Sequence, residues 1–307
     1  MIRVGVIGVG TMGQHHARIY SKMDNCELVG VADINVARAK EIARKYKTNF
    51  YEDYRELLKK NLDAVSIAVP TTLHKKIALE VIERGIHLLI EKPIASSLEE
   101  ADAIIEKAKK NKVKLLIGHI ERFNPAIQKL KEVLDKGILG NLLIISTRRV
   151  GPFVTRIRDV GIIIDSATHD IDVVRYLVNR EPKNVFAKLG RIKHKKEDHA
   201  LILLDFSDIA ASIEVNWFTP HKVRTLVATG VKGIAYLDYI HQELEIYTQE
   251  GRFIPNIIKE EPLKLEIEHF VECVEGDKQP LVSGEDGRKV LEIALKAMKI
   301  GGKSDEK

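Results

Sequence analysis

Asp165 and His169 stand four residues apart in the stretch Asp165-Ser166-Ala167-Thr168-His169-Asp170-Ile171-Asp172, a spacing that puts both on one face of a helix. An imidazole is the natural proton acceptor near neutral pH, and a carboxylate on the same face can orient it or stabilise its cation. Asp170 and Asp172 fall on other faces and read as structural. The cluster could also hold a metal, but no Cys-rich or HExxH spacing accompanies it, so no metal is expected. Lys92 follows the apolar run Leu88-Leu89-Ile90 and Glu91. Its ammonium would emerge at a strand end, where it could stabilise a developing alkoxide.

A third constellation is Gly8-Val9-Gly10-Thr11-Met12-Gly13, directly after an apolar run and directly before a helical pattern. Gly8 permits a tight turn, Gly10 lets the backbone approach a pyrophosphate, and Gly13 allows close helix–strand packing. The helix N-terminus then offers free N–H groups to phosphates. Asp33 ends the next strand, 20 residues beyond Gly13, where a carboxylate accepts hydrogen bonds from an adenosine ribose and repels a 2′-phosphate. NAD is therefore expected over NADP, although Arg38, one helical turn on, leaves some room for NADP.

These groups need a scaffold. Arg3–Ile7, Glu27–Ala32, Ala64–Val69, His87–Ile90 and Val113–Ile117 read as strands buried on both faces of a parallel sheet. Helical patterns separate them at Thr11–Lys22, Asn35–Tyr46, Asp53–Lys59, His74–Arg84 and Leu98–Asn111, the last with Ser97 and Glu100 as a capping box. The expected fold class is α/β: a doubly wound parallel sheet over residues 1–120. Ligands sit at the carboxyl edge of such sheets, which singles out Pro70, Thr71 and His74, then Glu91 and Lys92, then Arg122, Phe123 and Asn124. Residues 121–307 read differently. Helices are expected from Asn124 to Asp135 and from about Ile162 to Asn179. Strand-like segments follow at 185–189, 199–206, 211–217, 223–229, 233–238 and 244–247, after one at 142–150. Two helices, Pro262–Glu275 and Gly287–Ile300, come last. This second part is an α+β domain with a largely antiparallel, open sheet.

Composition narrows the class. Of 307 residues 45% are apolar and 30% charged, with a net charge of +5, the balance of a globular protein. The only cysteines, Cys26 and Cys273, fall in regions that read as different domains, so a disulfide scaffold is excluded. No stretch approaches the ~20 apolar residues of a bilayer-spanning helix, and the N-terminus reads as a strand rather than a secretory signal. A cytoplasmic protein with no membrane partner is expected. Trp217 is the only tryptophan and the basic residues form no long stripe, so no nucleic-acid partner is expected either.

The motifs GVGTMG, VPTTLHKKIALE, EKP, GHIERFNP and DSATHDID, in order over essentially the whole chain, resemble the glucose–fructose oxidoreductase/inositol dehydrogenase/MocA family. The resemblance implies an NAD(P)-dependent oxidoreductase of a sugar or cyclitol hydroxyl. It implies that Lys92, Asp165 and His169 are catalytic, that Glu91 lies near the nicotinamide ribose, and that His74 is the family's histidine after the fourth strand. It also implies a homodimer or homotetramer built through the second-domain sheet, with the last helices packing on the first domain. The family often carries a run of glycines before the aspartate; here only Gly161 remains. Within the family, GHIERFNP and the segment with Arg148, Arg149, Arg156 and Arg158 look most like the sugar-nucleotide 3-dehydrogenases. That implies oxidation of the C3 hydroxyl of a UDP-N-acetylated sugar with NAD. Four guanidiniums suit bidentate binding of a diphosphate, or form a basic surface loop paired to Asp159. Phe123, Asn124, Arg149, Arg156 and Arg158 join the catalytic three in the expected substrate site. Two rivals remain. A free-sugar or cyclitol dehydrogenase would not need the arginines, and a non-catalytic NAD-binding sensor would show a degraded Lys92/Asp165/His169 set.

Overall fold

The computed structural model describes residues 1–153 and 160–302. By its contacts the chain forms two units: Met1–His119 with Leu263–Lys289, and Ile120–Pro262 with the chain from Val290 onward.

In the first unit, strands β1 (Ile2–Ile7), β2 (Cys26–Ala32), β3 (Asn49–Tyr51), β4 (Ala64–Ile67), β5 (His87–Glu91) and β6 (Leu115–Gly118) alternate with helices α1 (Gly13–Tyr20), α2 (Val36–Tyr46), α3 (Tyr54–Leu58), α4 (His74–Ile82) and α5 (Leu98–Asn111). The strands form one parallel sheet in the order β3-β2-β1-β4-β5-β6. β4, β5 and β6 are apolar along nearly their whole length and buried on both faces, the pattern a parallel sheet with helices on both sides requires. Strand order reverses between β1 and β4, which opens a binding crevice at their carboxyl ends. Local chemistry sets the helix starts. Asn35 accepts from the Arg38 amide at 3.1 Å. Ser97 accepts from the Glu100 amide at 3.2 Å while Glu100 reaches back to the Ser96 amide at 3.1 Å.

In the second unit, α6 (Pro125–Asp135), β7 (Leu142–Pro152), α7 (Thr168–Val178) and strands β8 (Asn184–Gly190), β9 (His199–Asp205), β10 (Ala210–Asn216), β11 (Phe218–Gly230), β12 (Gly233–Asp238), β13 (Glu243–Thr248) and β14 (Gly251–Phe253) follow in order. Their sheet runs β14-β13-β12-β11-β7-β10-β9-β8. Only the β7–β10 pairing is parallel; the others are antiparallel. β9 alternates Ala200, Ile202 and Leu204 inward with Leu201 and Leu203 outward, as a sheet covered on one face does. The inner face packs on Ile127, Leu130, Ile171 and Val174 of α6 and α7.

α8 (Pro262–Glu275) and α9 (Gly284–Gly302) close the described chain. Leu263–Lys289 groups with the first unit, so Cys273 lies in the same unit as Cys26 rather than in a different domain. Both are buried free thiols. α9 begins three residues earlier than expected because Ser283 and Asp286 exchange hydrogen bonds at 3.1 Å across its first turn, a reciprocal cap. β3 and β14, three residues each, were not among the expected strands. Among the described residues no helix is long and apolar enough to cross a membrane.

Candidate active site

The glycine turn has the shape its residues predict. Gly8 adopts φ +84°, open to glycine without strain. A Cβ on Gly13 would lie 1.8 Å from the Gly8 carbonyl oxygen, so helix α1 comes as close to the turn as glycine allows. A Cβ on Gly10 would meet nothing within 4 Å; that open space in front of the α1 N-terminus is where a pyrophosphate would fit. Thr11 is exposed and Met12 half-buried at the start of the same helix. Asp33 is held by the Val9 and Asn35 amides, both at 2.8 Å. It lines a cavity of about 310 Å³ together with Gly8, Gly10, Val69 and Pro70. These residues fit a dinucleotide. Arg38 has a different task from the one its type suggests. Its Nε donates to the Val9 carbonyl at 3.1 Å, Nη2 to Gln14 Oε1 at 2.7 Å and Nη1 to Glu41 at 2.7 Å. It braces the glycine turn.

At the other strand ends, Thr71 opens a 3₁₀ turn, Thr71–Leu73, and His74 is buried. His74 Nε2 lies 3.0 Å from the Val69 carbonyl and Nδ1 3.0 Å from that of Pro93, so the ring is wedged between the end of β4 and the turn after Lys92, its single N–H donating to one of the two carbonyls. Burial lowers its pKa, against the backbone carbonyls of Val69, Pro93 and Ile94, which act the other way. Glu91, expected near a ribose, turns inward: it is 9% exposed and accepts from His16 Nε2 at 2.9 Å. Lys92, the next residue, is half-buried at the sheet's carboxyl edge, and the Lys92–Pro93 peptide is cis.

In the second unit Asp165 lies in a π-helical turn, Ile163–Ala167, that runs straight into α7, where His169 is the second residue. The expected single α-helix is therefore a π turn joined to an α-helix, a feature frequent at functional sites. Both side chains are half-buried, and Ser166 Oγ donates to Asp165 at 3.0 Å. Glu197 holds the start of this turn, its carbonyl accepting from the Ile162 amide at 2.9 Å and its carboxylate from the Ile163 amide at 3.4 Å. A Cβ on Gly161 would come within 2.2 Å of that carboxylate. Gly161, the glycine kept from the family's run, is required by the approach of Glu197.

Several expected binding residues are occupied elsewhere. Arg149 is 6% exposed; its Nε pairs with Asp170 at 2.7 Å and its Nη1 with Glu121 at 3.0 Å, under the Tyr239 ring. Burial opposes its charge, but Asp170 and Glu121 more than offset this and raise its pKa. Arg122 forms a fork on Asp172, at 2.8 and 2.7 Å. Asn124 caps α6 through the Ala126 amide and donates to Glu121 and to the Tyr239 carbonyl. Phe123 is buried. Arg122, Phe123, Asn124 and Arg149 thus sit in the framework around α7 rather than on an open surface. Arg148, on the other face of β7, pairs with Glu214 at 3.0 Å. Arg156 and Arg158 lie outside the described residues. The sequence reading missed His16, Ser66, Glu121 and Glu197. His16, the third residue after Gly13 in helix α1, carried the clearest signal, a polar residue at an inward helical position.

A glycine turn with an acidic strand end on a parallel sheet, followed by a lysine at a sheet edge and a histidine on a helix, defines a nicotinamide-dependent oxidoreductase. The chain belongs to the GFO/IDH/MocA oxidoreductase family. Residues 2–119 match the model of its NAD-binding Rossmann fold and residues 127–254 that of its C-terminal domain. The cofactor is NAD. The UDP-N-acetylglucosamine 3-dehydrogenase of Acidithiobacillus ferrooxidans is 32% identical, covering 96% of this chain and 95% of that one. Its solved structure is similar with a TM-score of 0.91 over 97% of each chain. The scyllo-inositol 2-dehydrogenase (NAD(+)) of Bacillus subtilis is 31% identical, covering 96% and 93%. The myo-inositol 2-dehydrogenase of Thermotoga maritima is 29% identical, covering 97% and 96%.

Proposed function

We propose that this enzyme oxidises the C3 hydroxyl of a UDP-N-acetylated sugar. The observation that carries the reading is the likeness to a UDP-N-acetylglucosamine 3-dehydrogenase through both units, in sequence and in fold. Bound NAD supplies the hydride acceptor. His169 takes the hydroxyl proton and Asp165 orients its imidazole, while the Lys92 ammonium stabilises the alkoxide as negative charge grows on the oxygen. Gly8, Gly10, Thr11, Met12, Gly13, Asp33, Pro70 and Thr71 hold the cofactor. With Arg149 committed to a buried acid and Arg148 paired with Glu214, the guanidiniums of that segment left for the diphosphate are Arg156 and Arg158.

Oxidation of a free sugar or cyclitol is the second reading. It is favoured by the near-equal identity to two inositol dehydrogenases and by the structural use of Arg149. The same proposal includes a cytoplasmic enzyme, in keeping with two free thiols. It also includes a homo-oligomer through the open sheet face, where Phe186 and Leu203 stand in register, 53% and 40% exposed, with Tyr236 further along the same row. Ser212 and Ser146 stand between them in the row, and the exposed apolar side chains on either side fit burial against a second copy.

Purified enzyme with NAD+ and UDP-N-acetylglucosamine tests the substrate. NADH absorbance rising together with loss of two hydrogens from the sugar nucleotide is the expected result. NADH formed only with a free sugar or inositol would overturn the substrate and keep the site.

A further inference from the structure

Glu91 is a buried carboxylate in a strand where its neighbours are leucine and isoleucine, and a chain of three side chains accounts for it. His16, fully buried on α1, reaches Glu91 Oε1 with Nε2 at 2.9 Å and Ser66 Oγ with Nδ1 at 3.0 Å. Tyr20, one helical turn after His16, places its hydroxyl 2.9 Å from the same Ser66 Oγ. With Nε2 donating to Glu91, Nδ1 accepts from Ser66, and Ser66 accepts from Tyr20. Both ring nitrogens of His16 and both hydroxyls then have a partner, the kind of satisfaction by which a buried polar network fixes one geometry. β6 makes room for it: Gly118 is the register partner of Glu91, and a Cβ there would lie 3.1 Å from Glu91 Oε2.

Burial alone would raise the Glu91 pKa, yet it lies below the usual carboxylate value, because the His16 hydrogen bond and the positive charge of Lys92 favour the anion. At the far end, Tyr20 faces Cys26 and the carboxylate of Glu266 on α8, and burial keeps its phenol protonated. Lys92, the next residue after Glu91, stands at the sheet's carboxyl edge. Attraction between the two is mutual, so an anion fixed at Glu91 favours the ammonium form of Lys92.

We propose that His16 is a positioning residue for Lys92: acting through Glu91, the Tyr20–Ser66–His16 chain fixes an ionised carboxylate that keeps Lys92 charged and ready to stabilise an alkoxide. This rests on the reading of Lys92 as catalytic.

The test reads the charge on Lys92 without needing the substrate. Acetic anhydride modifies only the neutral amine, and peptide mass spectrometry quantifies Lys92 acetylation as pH is raised in the full-length enzyme. In Glu91→Gln the labelling midpoint moves to lower pH, so that labelling on the rising limb increases by about tenfold. His16→Leu moves it the same way. His16→Gln restores it, because the glutamine amide can donate in place of Nε2, and this pair repeats the test without altering Glu91. The alkaline limb of kcat/KM follows the labelling midpoint. A midpoint unmoved in both Glu91→Gln and His16→Leu, with only the melting temperature lowered, would reduce the chain to a structural device and overturn the proposal. Lys92→Met separates the two layers. If it is inactive while the midpoint stays put, only the role of His16 fails; if it is fully active, the catalytic reading of Lys92 fails as well.

Discussion

Lys92 and His169 each stand next in sequence to a buried acid, and the two acids are held differently. Glu91, before Lys92, rests on a hydrogen-bonded chain of His16, Ser66 and Tyr20. Asp170, after His169, is 1% exposed and rests on Arg149, which also takes Glu121. The first acid is held by directional hydrogen bonds along an imidazole, a hydroxyl and a phenol that burial keeps protonated. The second is held by a guanidinium that stays charged at any ordinary pH. Asp170 and Asp172 also point different ways, as residues two apart on a helix must. One fixes α7 to β7, the other to the turn carrying Arg122. Buried ion pairs of this kind add little stability over packed apolar residues, but their directionality pins a helix in one place. In the second unit the acid secures the element that carries the histidine; in the first it sits beside the lysine's own charge.

That contrast is sharpest in the residues next to the acids. Lys92→Ala and His169→Asn should each lower kcat by about 10²-fold or more, with NAD affinity, read by fluorescence titration, and the unfolding midpoint unchanged. Early unfolding in either variant would show that the residue belongs to its framework. Arg149→Met should do the reverse. It strands Asp170 and Glu121 without their cation and costs about 3–5 kcal/mol of stability in urea unfolding, and a second change, Asp170→Asn, should recover part of the loss. If Arg149→Met instead unfolds normally and only raises the KM for a sugar nucleotide, the arginine is a substrate ligand and the contrast between the two regions collapses.

What the sequence made legible follows the range of the interactions. The glycine turn, Asp33 and the helix caps are local, and residue type with spacing defines them. Lys92 was legible because a strand end fixes its place. Arg149, Arg122 and Asn124 show the limit. An arginine near a catalytic helix looks the same whether it faces a ligand or a buried acid, and the partners of Arg149 are 21 and 28 residues away. The partner of Glu91 is 75 residues away. The π turn is hidden for another reason: Asp165 and His169 share a helical face in either kind of helix, so the spacing does not distinguish them. β3 and β14 are too short to show a pattern of two-residue alternation.

The smallest expected effect uses pH to separate the regions. His74 has a folded pKa below its ordinary value of 6.5 because burial favours the neutral ring. Its contribution to stability is therefore full above 6.5 and lost as pH falls through the folded value. Glu91, also depressed, adds a second loss only below the ordinary carboxylate value of 4.5. The Arg149 cluster supplies no cation that titrates in this window. Trp217, the single tryptophan, lies in the core of the second unit and reports on that unit, while far-ultraviolet circular dichroism reports on both. Between about pH 7 and pH 5 the urea midpoint seen by dichroism should fall ahead of the one seen by Trp217 fluorescence. His74→Gln costs about 1 kcal/mol at higher pH through a lost buried hydrogen bond, and should narrow the gap as pH falls, leaving the part owed to His87 and His269, whose pKa values burial also lowers. A gap left undiminished in His74→Gln would place the acid sensitivity elsewhere in the first unit, and the absence of any gap in the wild type would mean that the two regions unfold together whatever holds their acids.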